Sequence, residues 1–481
     1  MAATITTKFR LENANTFIKS IANDSVYIML GKSDAWSANK DTSQDSPAPT
    51  PLDVQLEEND MWQNAIALKK LGASDAINVV PRYNWVSGTR YVGWDDFDAA
   101  IFTKRFYVLN ENYDLFKCLK APLDPLITST NAPAITASPH AFSTPDGYIW
   151  KYMGKISTPN VTKFMTVNYM PVKTITLLPG VDASSLSADE ATQYAYQTSC
   201  ATDTSGKIYR YVVTNGGSGY STQNPPTVTI SGNGSGAAAT AVVVNGIITA
   251  INVTGESAMM DATGNGPQTY RNNCGIGYTS AYVTIASPVA GVTATARAIL
   301  SPKNGHGTDQ TRELGGFYVE TNVTLTGAEG AGADFITGAN FRQIALVKNP
   351  LNFNTAVISN TATLSALKTM RLTAAPSGGT LASGDYITGS SSTACAFVDS
   401  YALEDTTHII RYHQNDKTGY GTFSSGEAIT SFGDQSATIA SGGLGNPEVK
   451  PCSGDIMFIE NRAPITRAIS QIEDIRLVIE F

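Results

Sequence analysis

The chain has 481 residues and a formal net charge of −8; 42% of its residues are apolar, only 15% are charged, and 41 are glycine. Low charge with frequent Gly excludes a helical bundle and predicts a mainly β protein with a minor helical part (α+β), spread over about three domains. An acidic balance without a Lys/Arg run excludes nucleic acid as the main partner, and without a run of about 18 apolar residues no membrane-spanning helix is expected.

Ala14, Phe17, Ile18 and Ile21 recur at helical spacing and predict a helix over 13–22, closed by Asn23-Asp24. Val26–Leu30 reads as a strand, and the polar, proline-bearing stretch 33–53 as a surface loop. Thr50-Pro51 starts a second helix, with Pro at the first helical position. That helix is expected to run through Met61, Ala65 and Leu68 and to stop at Gly72. Ile77–Pro81 is a strand, and 106–109 with 115–119 forms a hairpin across Asn110–Asp114. Tyr148–Tyr152 is the next strand.

From Tyr211 to Gly255 no side chain is charged. Within this region Gly219-Tyr220, Val228-Thr-Ile230 and Ala239-Thr-Ala241 recur, about 55 residues on, as Gly277-Tyr278, Val283-Thr-Ile285 and Ala294-Thr-Ala296. Two copies predict two similar small β modules packed side by side. Asn245-Gly246 between apolar runs predicts a hairpin. Residues 317–325 and 341–350 read as strands, and 355–450 as a second small β domain with strands at 396–398 and 408–412. The chain closes on a strand from Ile456, a polar corner at Glu460-Asn461-Arg462 sealed by Pro464, and a last strand over 472–481.

No residue is assigned to catalysis, to a cofactor or to a metal. Gly31-Lys32-Ser33 follows a strand as a phosphate loop does, but Val26 stands where that loop requires Gly. Asp95, Asp96 and Asp98 beside Trp94 read as a solvated turn rather than a hydrolytic carboxylate pair, and they lack the calcium-loop pattern. His408 and His413 fall on opposite faces of a strand, which makes no zinc site. Gly217-Ser218-Gly219 lies in a repeat loop. The cysteines Cys118, Cys200, Cys274, Cys395 and Cys452 are scattered, odd in number and without CxxC spacing; they read as reduced thiols. The first residues lack the apolar core of a signal peptide.

Four separated strings carry a resemblance. They are Asp60-Met-Trp62 with Pro81-Arg-Tyr-Asn-Trp85 and Gly88-Thr-Arg-Tyr91; Asp146-Gly-Tyr-Ile-Trp-Lys-Tyr152; Asn340-Phe-Arg-Gln-Ile344 through Lys348-Asn-Pro-Leu351; and the closing segment. In this order they resemble the baseplate wedge subunit, gene product eight, of T4-like contractile-tailed phages. The likeness covers residues 5–160, 308–354 and 452–481 and fails near 190–305 and 355–450. The expected organisation is a β-sandwich-like core over 1–190, 306–354 and 451–481, with insertions at 191–305 (the tandem Gly-Tyr modules) and 355–450.

The resemblance implies a homodimer in each wedge of a baseplate, touching other wedge proteins and rearranging when the sheath contracts. It implies residence in the virion tail after assembly in the host cytoplasm, with no enzymatic activity. Trp62, Arg82, Trp85, Arg90, Tyr91, Asn461 and Arg462 are the interface candidates, since Trp, Tyr and Arg carry interface energy. The plainer reading buries the rings, with Trp150 and Tyr152, in the core and lets the arginines cap strand ends. An alternative function is carbohydrate binding at the host surface, with Tyr220 and Tyr278 of the inserted modules as stacking platforms for a glycan; against it, each Tyr can plug its own module.

Overall fold

The computed structural model describes residues 3–37, 45–135, 138–177, 179–259, 268–326, 335–468 and 471–481. The protein is mainly β, with several separate sheets, as the composition predicted. Its backbone divides into two compact units, one of Met1–Asn15, Ile77–Glu320 and Val478–Phe481, the other of Thr16–Ala76 and Thr321–Leu477.

The first unit is built on a six-stranded sheet. Its order is Glu256–Met259, Gln268–Arg271, Phe142–Ser143, Ile149–Lys155, Asp114–Lys120, Tyr107–Leu109. The expected hairpin is present, with Val108 opposite Phe116. Its turn is set by Asn110, whose side-chain oxygen accepts from the Asn112 and Asp114 N–H groups. Alternate residues point to opposite faces of a strand. Phe116, Cys118, Trp150 and Tyr152 therefore pack on one side with Tyr91 and Phe142, and Tyr107, Leu109, Leu115 and Met153 on the other with Val80 and Met170.

The repeat is intertwined rather than side by side. Val228 of the first copy pairs with Ile285 of the second, and Ile230 with Val283, inside one sheet ordered Ile247–Val253, Ala239–Val244, Thr227–Gly232, Ala281–Ile285. Ile208–Asn215 pairs with Thr295–Leu300, and Ser235–Ala237 with Cys274–Ile276. The two copies thus share strand pairings, and one core serves both. A few short strands cannot bury a core alone, which is why the modules are not independent. The two copies do share a local device. Gly217 and Gly275 sit at φ +63 and +69, where an added Cβ would press on the ring of Tyr220 or Tyr278. The segment also contributes outside itself: Thr269 pairs with Ser143 in the six-stranded sheet.

The second unit holds an antiparallel sheet ordered Thr363–Ser365, Ala65–Lys70, Val26–Gly31, Asn340–Lys348, Asp455–Thr466. It also holds a closed barrel ordered Lys368–Leu372, Thr407–His413, Cys395–Glu404, Tyr386–Gly389, Ala428–Ser431, Ser436–Gly445. The barrel is filled by Met370, Ile387, Val398, Ile410 and Ile439.

Three expectations are corrected here. The first helix spans Thr7–Asn23, but the second spans only Gln55–Gln63. Asn64 ends it by donating its side-chain N–H to the Asp60 carbonyl at 2.8 Å. Leu68 then lies in a strand between Met29 and Leu364, where sheet pairing overrides helical spacing. The loop predicted over 33–53 is not all at the surface: Ser33, Asp34 and Ala35 are buried, while 38–44 lie outside the described residues. Glu460-Asn461-Arg462 is no corner but the interior of the strand Asp455–Thr466. Its register shifts where Phe341 faces Ile465 and Gln343 faces Asn461, and Pro464 sits in that bulge.

Candidate functional site

Each unit contains a largely buried polar centre that sequence spacing did not reveal. In the first unit, Lys117 lies on the Asp114–Lys120 strand, and Glu313 on the short helix Gln310–Leu314. Lys117 Nζ donates to Glu313 Oε2 at 2.9 Å and lies 3.2 Å from His306 Nδ1. The Gly307 N–H donates to the other Glu313 oxygen at 2.8 Å. The Trp94 ring covers Lys117 Nζ at 4.3 Å. Burial and the Lys117 charge push His306 down to about 4. Burial works to raise Glu313, but Lys117 and His306 overcome it and hold the carboxyl at about 2. Beside this group Lys151 Nζ contacts Cys200 Sγ at 3.1 Å, the Tyr152 carbonyl at 3.0 Å and the Tyr196 hydroxyl.

An amine, an imidazole and a carboxylate are the residue types of general acid–base catalysis. Here Lys117 is 0%, His306 3% and Glu313 4% exposed, so bulk solvent reaches none of them. What the arrangement does is pin the 306–314 segment to the sheet.

In the second unit the loop after Val26–Gly31 meets the barrel. His413 Nδ1 lies 2.9 Å from Asp399 Oδ2, and its Nε2 lies 3.5 Å from Asp34 Oδ1. Lys417 Nζ donates to Asp34 at 2.6 Å, and Lys32 adds a second ammonium at 3.3 Å. Asn415 donates to Asn64 Oδ1 at 2.8 Å. Burial works to lower the imidazole, yet Asp399 and Asp34 push it up to about 9. Burial likewise works to raise Asp34, while His413, Lys32 and Lys417 hold it far below the usual carboxylate range.

The sequence-predicted interface residues fall into two sets. Arg82, Trp85, Arg90 and Tyr91 belong to the first unit; Trp62, Asn461 and Arg462 belong to the second. Trp62 is buried with Tyr27, Met29 and Leu364. Tyr91 is buried edge-on to Trp150, and its hydroxyl accepts from the Val86 N–H at 2.8 Å. Trp85 is half-buried and donates to Ser129 Oγ at 3.1 Å. Arg82 donates to the Thr166 carbonyl and the exposed Arg90 to that of Asp124, at 2.9 and 2.8 Å. Asn461 accepts from Gln343 at 3.1 Å, and Arg462 stands 3.5 Å from Glu460.

Tyr220 and Tyr278 are 7% and 4% exposed, so neither offers a ring face for a sugar. The carboxylates at 95–98 are tied down: Arg297 pairs with Asp95 at 2.6 Å and Lys104 with Asp98 at 2.5 Å. None of the five cysteines forms a disulfide; Cys118, Cys200 and Cys274 are buried, Cys395 is half-buried and Cys452 exposed.

By class, then, this is a mainly β protein of several sheets whose buried ionisable clusters serve internal packing. Residues 3–100 match the family model described as Bacteriophage T4, Gp8. The chain is similar to baseplate wedge protein gp8 of Enterobacteria phage T4, 30% identical over 130 residues, a stretch covering 25% of this chain and 38% of that relative. The match therefore spans well under half the length of the curated relative. The resemblance read from the sequence is borne out at the amino-terminal end.

Proposed function

We propose that this chain is a structural subunit of the tail baseplate wedge, acting as a homodimer that grips other wedge proteins and rearranges when the sheath contracts, without turnover of a substrate. The observation that carries this reading is the match of residues 3–100 to the T4 Gp8 family model. The burial of Lys117, His306, Glu313, Asp34 and His413 supports it, since such groups stiffen a body without opening it to a ligand. Among the candidates, Arg82, Trp85, Arg90 and Arg462 keep surface for neighbours. A standard interface buries about 1,600 Å², and two packings that differ by a few kcal/mol suffice for a rearrangement. Light scattering on purified protein at micromolar concentration tests the dimer; a monomer there would contradict it.

Carbohydrate binding remains a second reading on one observation. Tyr282 is 68% exposed on the uncharged outer face of the repeat sheet, where Thr229 pairs with Thr284. Binding to a glycan array that is abolished by Tyr282→Ala would support it, and no binding would remove it.

A further inference from the structure

The strand Asp455–Thr466 pairs with Asn340–Lys348 on one side, and among the described residues no strand takes its other edge. An edge strand presents backbone N–H and C=O groups that can receive a further strand. Part of this edge is covered. The Trp36 indole donates to the Arg462 carbonyl at 3.0 Å, and Asn461 donates to the Pro49 carbonyl at 3.2 Å. The bulge at Pro464 interrupts regular pairing beyond that point.

The Ile456–Ile459 stretch differs. It borders an open groove of about 300 Å³, walled on the other side by Pro51–Val54 and Glu58. Leu52, Val54 and Met457 are 61%, 45% and 48% exposed and make its apolar rim. Among the described residues, the charged side chains that line it are Asp53 and Glu58, and no Lys or Arg lines it.

The geometry points to an extended segment of a partner polypeptide as the occupant, with apolar residues alternating with Lys or Arg, added as a strand along Ile456–Ile459. Four residues of strand span about 13 Å, room for a segment of that length. A second copy of this chain fits less well, because it would bring the same acids against Asp53 and Glu58. The inference rests on the assembly reading only for the source of the segment, a neighbouring tail protein.

The test uses the purified full chain and two labelled octapeptides, one alternating Val and Lys, the other Val and Glu. The Lys peptide is expected to bind at least tenfold tighter by fluorescence anisotropy and to slow amide exchange across 455–460. Charge reversal by Asp53→Lys with Glu58→Lys is expected to invert the preference. Equal or absent binding, binding without protection of 455–460, or a preference untouched by the reversal would overturn the proposal. So would loss of a dimer in the reversed variant, since that result assigns the groove to a second copy. A chain that prefers the Lys peptide yet never enters a baseplate would contradict the assembly reading and leave this one standing.

Discussion

His413 on the barrel and Asp34 in the loop after the first strand lie 3.5 Å apart, both fully withdrawn from solvent. Asp399 flanks the other ring nitrogen at 2.9 Å, so an imidazolium sits between two carboxylates. An ordinary imidazole titrates near about 6.5, and this one is pushed up to about 9. Its contribution to stability is complete below pH ~6.5 and fades as pH rises through 9. His413→Gln should cost about 3 kcal/mol at pH 6, because it leaves buried charge uncompensated. By pH 10 the gap from wild type should narrow. Amide exchange on Thr407–His413 measures this locally; a gap constant with pH would contradict the account.

The first unit should respond to pH in the opposite sense. His306, held at about 4, refuses a proton that the unfolded chain accepts near about 6.5. Stability is therefore lost as pH falls from ~6.5 through 4, and Glu313, held at about 2, adds a loss at lower pH still. The opening free energy across Asp114–Lys120, from exchange rates corrected for the intrinsic rate at each pH, should fall between pH ~6.5 and ~4.5, and His306→Phe should flatten that change.

Glu313→Ala strands the Lys117 ammonium in the interior and should destabilise by about 3–5 kcal/mol. The double variant Lys117→Met with Glu313→Leu removes both charges and should recover more than half of that loss. Urea denaturation followed at the first unit gives the comparison. A double variant as unstable as the single one would mean that the pair has no special coupling.

Gly219 has φ +84, and a Cβ there would fall on the Ala290 carbonyl oxygen. Gly219→Val should destabilise by about 2–3 kcal/mol through backbone strain and this clash. Tyr220→Phe removes the acceptor of the Ala294 N–H, a 2.8 Å bond between the two copies, and should cost about 1–2 kcal/mol. If the copies were independent modules, Tyr220→Phe would leave exchange at Ala294 unchanged.

With no disulfide among the cysteines, dithiothreitol should leave the Tm unchanged. In the native protein, iodoacetamide should modify the exposed Cys452 first and spare Cys118, Cys200 and Cys274. A Tm drop of several degrees on reduction would contradict this.

Much of the fold was legible from local pattern. The amphipathic run around Phe17 and Ile21, the strand Val26–Gly31 and the hairpin closed by Asn110 all follow from periodicity and turn chemistry. The failures share one cause, pairing between distant residues. Leu68 fits a helical stripe, yet sheet partners on both sides claim it. The repeated Gly-Tyr landmarks revealed two copies but not that each pairs with the other. Lys117 and Glu313 are 196 positions apart, and Asp34 and Lys417 are 383 apart, so neither centre leaves a spacing signature. Asp34 was hidden further by lying in a polar, proline-bearing stretch that reads as exposed.

The most direct measurement is a cryo-electron microscopy map of an intact tail end from the virion that carries this chain. The account predicts that both units fit density in the baseplate wedge, repeated around the tail axis, with each copy contacting a second copy and other proteins. Density for this chain at a fibre tip or in the capsid, or its absence from purified tails, would contradict the central claim.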